Sequence, residues 1–433
     1  MQQLAGLDEP RPWLVAAGGP GHARAPAHVC RACAGRLEPF VDLGLSPLCE
    51  GFLTERERDE PLMFYPLSVR ICTACWLGQL PEFVTPAAIF SDYAYFSSFS
   101  EAWLAHARGY VAAMVERFGL GGGSHVVEVA SNDGYLLRNF VERGIPCLGI
   151  EPAANVAEAA EAVGVPTLVA FFGHSLAARL ARDGGAADLI AGNNVLAQVP
   201  DLNDFVAGLA ALLKPDGVVT LEFPHLLRLI EDNQFDTIYH EHFSYFSLAS
   251  VEALMARHGL RVFDVERLWT HGGSLRVFAC RTASSRPECA GVRDVRGAEQ
   301  AGGIHELATY QAFQARVEHT KRALLALLIR LKADGKRIAG YGAPGKGNTL
   351  LNYCGIRTDF VDFTVDRNPH KHGKFLPGTG IPILPPDAIE RARPDYVLIL
   401  PWNLKGEITR QLAHIRDWGG RFIVPIPEAE ILG

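Results

Sequence analysis

His125-Val-Val-Glu-Val-Ala-Ser-Asn-Asp-Gly134 is the stretch that decides the fold. An apolar run ends in an acid, crosses small residues and closes on a glycine, after which a helical stretch opens near Tyr135. That pattern is a strand, a tight turn and a helix, the opening unit of a mostly parallel α/β sheet. Small residues at such a turn let a ligand approach the backbone closely. The glycine triplet of a dinucleotide loop is missing, and Asp133 would repel a phosphate at the helix N-terminus. A sulfonium-bearing nucleoside without a diphosphate suits the loop better than NAD, which points to S-adenosylmethionine. Glu128, Ala130, Ser131, Asn132, Asp133 and Gly134 are the candidate contacts from this loop.

Outward from that loop, the alternation continues. The strand Cys147 to Ile150 ends in Glu151-Pro152, an acid placed to take both ribose hydroxyls. Further strands read at Thr167 to Phe171, Leu189 to Ala191 and Val218 to Phe223. Phe171 and Phe172 end one of them, and Asn193, Asn194 and Leu196 end another. The ligand crevice of an open α/β sheet lies at these carboxyl ends, so the five residues join the cofactor candidates. Before the first strand, Trp103, Ala107, Tyr110, Met114 and Phe118 share one helical face. After Cys280 a polar, irregular linker is expected. A helix then runs from about His305 to Asp334, followed by strands at Arg337 to Tyr341, Phe360 to Val365, Tyr396 to Leu400 and Phe422 to Val424. The chain therefore reads as an α/β protein. It has an N-terminal zinc-binding module, a central Rossmann-like methyltransferase domain and a second, smaller Rossmann-like α/β domain. The expected bounds are 28–98, 99–284 and 285–433, after a Pro/Gly/Ala-rich disordered extension over 1–27.

The zinc expectation rests on spacing. Cys30-x2-Cys33 and Cys72-x2-Cys75 each offer two thiolates from one turn, and two such turns complete a tetrahedron. With no fifth ligand nearby the site is closed, hence structural; four buried free thiols or a redox pair are the competing readings. The remaining cysteines are scattered and the total of nine is odd, which fits a reducing cytoplasm and not a disulfide framework. A net charge of −7 with no dominant basic cluster disfavours a nucleic-acid partner. No apolar run reaches the ~18 residues of a membrane span. A cytoplasmic monomer is expected.

Two further stretches carry chemistry. Tyr239-His-Glu-His-Phe-Ser-Tyr245 follows the last strand of the central block. It lacks the H-E-x-x-H of a zinc hydrolase, and methyl transfer needs no metal. A neutral imidazole that takes a proton, oriented by a carboxylate, is the better reading. Tyr341-Gly-Ala-Pro-Gly-Lys-Gly347 lies between a strand and a helix; its glycines and Lys346 suit a diphosphate, although it is not a Walker motif.

Taken in order, the doubled C-x2-C, SDYAYFSS from Ser91, EVASNDG, NNVLAQVPD, DTIYHEHFSYFS, HGGSLR from His271 and GYGAPGKGNTLLN from Gly340 resemble a known family. It comprises the C-methyltransferases that act on dTDP-4-keto-deoxysugars in antibiotic pathways, the sugar C-3 enzymes in particular. The resemblance covers about residues 28 to 430. It implies the three-domain plan, a dTDP-linked 4-keto-deoxysugar substrate and His242 as the base that removes the C-3 proton. It further implies that Tyr239 and Glu241 line the same site and that Tyr93 reaches in from the zinc side. Tyr95, Ser98, His271, Arg276, Tyr341, Lys346 and Asn348, within the same segments, are the substrate-binding candidates. Two departures stand out: Gln198 replaces a frequent histidine and cannot titrate, and Cys49-Glu50-Gly51 replaces an Asn-containing run. O- or N-methylation of a small molecule, RNA methylation and non-catalytic nucleotide sensing are the alternatives. The intact Tyr239–Tyr245 cluster argues against the last.

Overall fold

The computed structural model describes residues 29–90, 97–99 and 101–433. The expected extension over 1–27, and Tyr93 and Tyr95, lie outside the described residues. The described chain opens with an antiparallel sheet of β1 (Leu37–Ser46) and β2 (Tyr65–Cys72), which lie between the two cysteine turns, and β3 (Gly78–Gln79), which follows the second. The central block supplies β4 (Val126–Val129), β5 (Cys147–Glu151), β6 (Thr167–Val169), β7 (Ala187–Asn193) and β8 (Leu213–Pro224), all parallel to their neighbours. After the short β9 (Ser244–Tyr245), β10 (Leu260–Leu268) and β11 (Ser274–Arg281) return antiparallel. The seven-stranded order is β10-β11-β8-β7-β4-β5-β6. Chain direction around the sheet reverses between β4 and β7, so a crevice opens at their carboxyl ends.

The last block adds β12 (Ile338–Tyr341), β13 (Thr364–Val365), β14 (Ile383–Leu384), β15 (Tyr396–Ile399), β16 (Arg421–Val424) and β17 (Glu430–Leu432). Its order is β14-β13-β12-β15-β16-β17, parallel except for the final strand. It too switches direction, at β12, whose exit is the Tyr341–Gly347 loop. The helix Leu307–Ala333 buries Tyr310, Phe313, Val317, Leu324, Leu328 and Leu331, the face its periodicity marks out.

The structure departs from the sequence expectation at several points: the strand expected over Phe360 to Val365 is limited to Thr364–Val365, and β10, β11 and β14 are not among the expected strands. The stretch after Cys280 is not irregular throughout: a helix forms at Ala290–Ala301. It buries Val292, Val295 and Glu299. Its polar composition hides an internal partner, because Glu299 accepts the backbone N–H groups of Leu248 and Ala249 and lies 2.7 Å from His225 Nε2. A buried carboxylate so bonded holds the start of helix Leu248–Ala256. The short strand β9, for which the sequence reading made no expectation, pairs with β3. The zinc module is therefore not a free appendage. Leu77 and the cysteines share a core with the central block, while Phe40 and Leu67 share one with the long helix and the C-terminal strands.

Candidate functional site

The three blocks enclose one cleft of about 1680 Å³. From the central sheet come the carboxyl ends of β4, β5, β6 and β7. Ala130, Asn132 and Asn194 all have positive φ (57°, 51° and 57°), a conformation costly for residues with a Cβ and concentrated at this crevice. Gly134 (φ 74°) turns against Ala160 and Val165, where a Cβ would sit 3.0 Å from Val165 Cγ2. The loop is thus pressed on its neighbouring helix, which leaves its other side open to a ligand.

The sequence candidates divide here. Ala130, Asn132, Glu151, Pro152, Phe171, Phe172, Asn193 and Asn194 line the cleft. Glu128, Ser131, Asp133, Gly134 and Leu196 stand behind the lining. Glu151 accepts the backbone N–H groups of Asn132 (2.9 Å) and Ala153 (3.0 Å), each oxygen keeping further acceptor capacity. Burial raises its carboxyl above the usual range, against the pull of those two amides. Glu128 is fully buried and is raised further by burial, Asp133 and Glu151. Asp133 turns away: it accepts the backbone N–H of Ser98 (2.9 Å), while Asn132 Oδ1 accepts that of Ser97 (2.8 Å). The acidic loop residue of the sequence reading thus fastens the start of the neighbouring helical segment, and Ser98 enters through its backbone.

The segment Tyr239–Tyr245 forms the wall facing that crevice. Pairing of β9 with β3 and the Leu80 N–H to Phe243 carbonyl bond (3.0 Å) fix it to the zinc module. The two histidines point different ways. His240 lies 3.1 Å from the Pro66 carbonyl and meets Tyr65 edge-on, so it serves the zinc-side packing. His242 lines the cleft and packs against Tyr239 with ring centroids 4.1 Å apart. His242 Nδ1 lies 3.2 Å from the Thr237 carbonyl. A carbonyl only accepts, so Nδ1 carries the proton and Nε2 is the acceptor. The carboxylate expected to orient the imidazole is therefore replaced by a backbone carbonyl. Glu241 instead accepts from the Cys49 thiol at 3.6 Å. Burial, with Lys346 and His271 nearby, lowers the His242 pKa to about 3, against a smaller raising effect of the Thr237 carbonyl.

The C-terminal block closes the cleft with Tyr341 and Lys346. Lys346 Nζ donates to Asn403 Oδ1 (2.9 Å) and sits 4.9 Å from the Trp402 ring centroid. Asn348 does not line the cleft; it is buried, with its amide 3.3 Å from the Cys49 carbonyl. Arg276 is not a cleft residue either. Its guanidinium binds Glu222 (2.7 Å) and Glu266 (2.9 Å) at the buried end of β8. Burial works against ionisation of Glu222, but His106 and Arg276 overcome it and hold its carboxyl below the usual range. His271 lines the cleft with φ 54°, followed by Gly272 and Gly273 at φ 90° and 121°. A Cβ on Gly272 would lie 2.7 Å from the Trp402 ring, so the pair of glycines is steric necessity.

Sequence reasoning quoted Asp236 and Thr237 within DTIYHEHFSYFS but assigned no role to the turn that organises this end of the cleft. Gln234 donates to the Gly272 carbonyl (2.7 Å), Asp236 accepts the Trp402 indole N–H (2.7 Å), and Thr237 orients His242. One short segment thereby sets His271, the Lys346 surroundings and His242. Trp103, Tyr135, Glu50 and Gln198 also line the cleft. Nothing in their local spacing marked the first three as ligand-facing.

The four knuckle cysteines bring their sulfurs within 4.8 Å of one another, with Cys30–Cys75 at 3.6 Å and Cys33–Cys72 at 3.5 Å. Tetrahedral zinc with ~2.3 Å bonds needs sulfurs ~3.8 Å apart, so the set fits the ion.

Three family models match the chain in order. They are a zinc binding domain at residues 30–90, a methyltransferase domain at 103–265 and a C-methyltransferase C-terminal domain at 269–427. The C-methyltransferase NovU of Streptomyces niveus is 39% identical over 409 residues, which cover 94% of this chain and 97% of that protein. Solved structures are more distant. Magnesium protoporphyrin IX methyltransferase from Synechocystis PCC 6803 with bound SAM is 16% identical, covering 41% of this chain and 79% of that one at a TM-score of 0.32. The PH0226 protein from Pyrococcus horikoshii OT3 is 14% identical, covering 46% and 96% at 0.36.

Proposed function

The chain belongs to the family of S-adenosylmethionine-dependent C-methyltransferases that carry a zinc-binding domain, and from that premise we infer that it methylates C-3 of a dTDP-linked 4-keto-deoxyhexose through an enolate. The observation that carries this reading is His242, a tautomer-fixed neutral imidazole open to the cleft between the β4–β7 crevice and the Lys346 loop. The cofactor-facing residues are Ala130, Asn132, Glu151, Pro152, Phe171, Phe172, Asn193 and Asn194. Bound there, S-adenosylmethionine supplies an electrophilic methyl carbon on its sulfonium.

A ketone at C-4 acidifies the hydrogen on the neighbouring carbon. His242 Nε2 takes that proton, the C–H electron pair moves into the enolate, and Nδ1–H stays on the Thr237 carbonyl. General base action of this kind contributes about 10²–10⁴-fold. Holding the nucleophilic carbon in line contributes more, roughly 7–11 kcal/mol. Tyr239 packs against the base and limits its rotation. The Tyr341–Gly347 loop and Lys346 hold the nucleotide diphosphate. Arg276 and Asn348 act behind the walls, and Ser98 sits beside the cofactor loop through its backbone N–H on Asp133; Tyr93 and Tyr95 keep the substrate-side roles that the family resemblance implies.

Incubation of a dTDP-4-keto-2,6-dideoxyhexose with enzyme in D2O tests this. Cofactor-dependent gain of one methyl mass and enzyme-dependent deuterium uptake at C-3 are expected. Uptake at C-5 would move the methylated carbon. Neither gain, repeated across 3-amino and 3-hydroxy acceptors, would refute carbon methylation of these sugars.

A further inference from the structure

The proton acceptor, His242, has its orienting group. The cation beside it has one too, and it is a residue to which the sequence reading assigned no role. Asp236 is 0% exposed, in the turn between helix Leu226–Glu231 and the Tyr239–Tyr245 wall. Its Oδ2 accepts the Trp402 indole N–H at 2.7 Å, and that indole ring lies under the Lys346 ammonium. Among the described residues no carboxylate forms a direct ion pair with Lys346. The ammonium is held instead by Asn403, the indole face and the buried charge of Asp236 beyond it.

We propose that Asp236 is a positioning residue for methyl transfer: a buried counter-charge that acts through Lys346 and keeps its ammonium in place at the acceptor end of the cleft. The physical need is plain. A lysine enclosed in a cleft loses its charge unless an opposite charge offsets the lost hydration. Burial does lower Lys346, and Asp236 opposes that. In return, burial raises Asp236 to about 6, while Lys346, the indole N–H and the backbone amides of Asp236 and Thr237 oppose the rise. The other titratable groups facing the pair are His242 and His271 beside Lys346, and Cys354 behind Asp236. Neutral imidazoles and a neutral thiol add no competing charge at pH 7.

Pulse acetylation of the full-length protein with acetic anhydride at graded pH, read by peptide mass spectrometry, reports the pH at which Lys346 becomes half-labelled. Asp236→Asn keeps the shape and an oxygen for the indole while removing the charge. It should lower that pH by about one unit or more. The same variant should lose about tenfold or more in kcat/KM for the keto-sugar nucleotide, increasingly so toward alkaline pH, with S-adenosylmethionine Kd unchanged. Trp402→Phe removes the indole N–H and leaves the charge, so its half-labelling pH should stay near wild type. Asp236→Asn should add no loss to Lys346→Met, since the two act as one unit. An unchanged half-labelling pH in Asp236→Asn, or additive losses in the double variant, would overturn the proposal. The kinetic arm rests on the proposed reaction. The labelling arm needs no acceptor, so failure to methylate any sugar and failure of the Asp236–Lys346 coupling are separate results.

Discussion

Replacing His242 by Asn is the sharpest test of the base assignment. The asparagine amide is short and can still donate to the Thr237 carbonyl, which His242 Nδ1 approaches to 3.2 Å. The wall from Tyr239 to Tyr245 should therefore keep its place, held as it is by β9 and the Leu80–Phe243 bond. What disappears is Nε2. With the His242 pKa pushed down to about 3, almost all of the wild-type base is in its receptive form at pH 7. The whole general-base contribution is then at stake, about 10²–10⁴-fold, or roughly 3–5 kcal/mol of barrier. Basicity so low is a poor match for proton abstraction. On the proposed reaction, substrate binding would correct part of it, because a diphosphate on Lys346 would offset the cation that lowers His242, and negative charge growing on the enolate would favour the imidazolium. The acid limb of kcat, which reports the complex, should accordingly lie at higher pH than that of kcat/KM, which reports the free enzyme. The assay is methyl transfer by mass together with deuterium uptake in D2O. His242→Asn should lose both while binding S-adenosylmethionine normally. Near-wild-type turnover would sink the assignment, and loss of cofactor binding would show that the substitution had collapsed the cleft. Coincident acid limbs near 6.5 would refute the substrate-coupled basicity.

Three further outcomes are expected. His242 falls from 6.5 in the unfolded chain to about 3 in the fold, so the unfolded state binds the extra proton between those values. Stability from its neutral burial is complete above about 6.5 and is lost as pH falls toward 3; His242→Asn should flatten that part of a melting-temperature profile. Lys346→Ala should raise the acceptor KM with little change in cofactor Kd, and an unchanged KM would remove the diphosphate role. Chelating the zinc should unfold β1–β3, expose the Tyr239–Tyr245 wall to proteolysis and abolish methyl transfer, because β9 loses its partner strand. A demetallated sample that keeps both protease resistance and turnover would contradict that coupling.

What was legible in the sequence was local. Alternating apolar runs separated by turns marked β4, β5 and β7, and a 3–4 spacing marked the helices Glu101–Phe118 and Leu307–Ala333. Cysteine spacing marked the knuckles, whose sulfurs meet as the spacing implied. Small residues at strand ends marked the crevice at the carboxyl ends of β4 to β7, since close backbone approach requires them wherever they fall. The rest depended on partners distant in the chain. Arg276 reads as a cleft cation until Glu222, 54 residues away, is seen to bind it. The polar stretch holding Glu299 reads as a linker until Leu248 and Ala249 supply the N–H groups it accepts. The Tyr239–Tyr245 cluster shows its chemistry in its composition, but which histidine faces the cleft is set by long-range packing. His240 goes to Pro66 in β2 and His242 to Thr237, while Ser244 and Tyr245 join β3. Sequence by itself determined most of the longer elements and the kinds of chemistry they carry, because amphipathic helix, apolar strand and knuckle are written in spacing. Only the tertiary structure decided which polar groups point into the cleft, because burial and charge compensation come from residues the chain brings together across its three blocks.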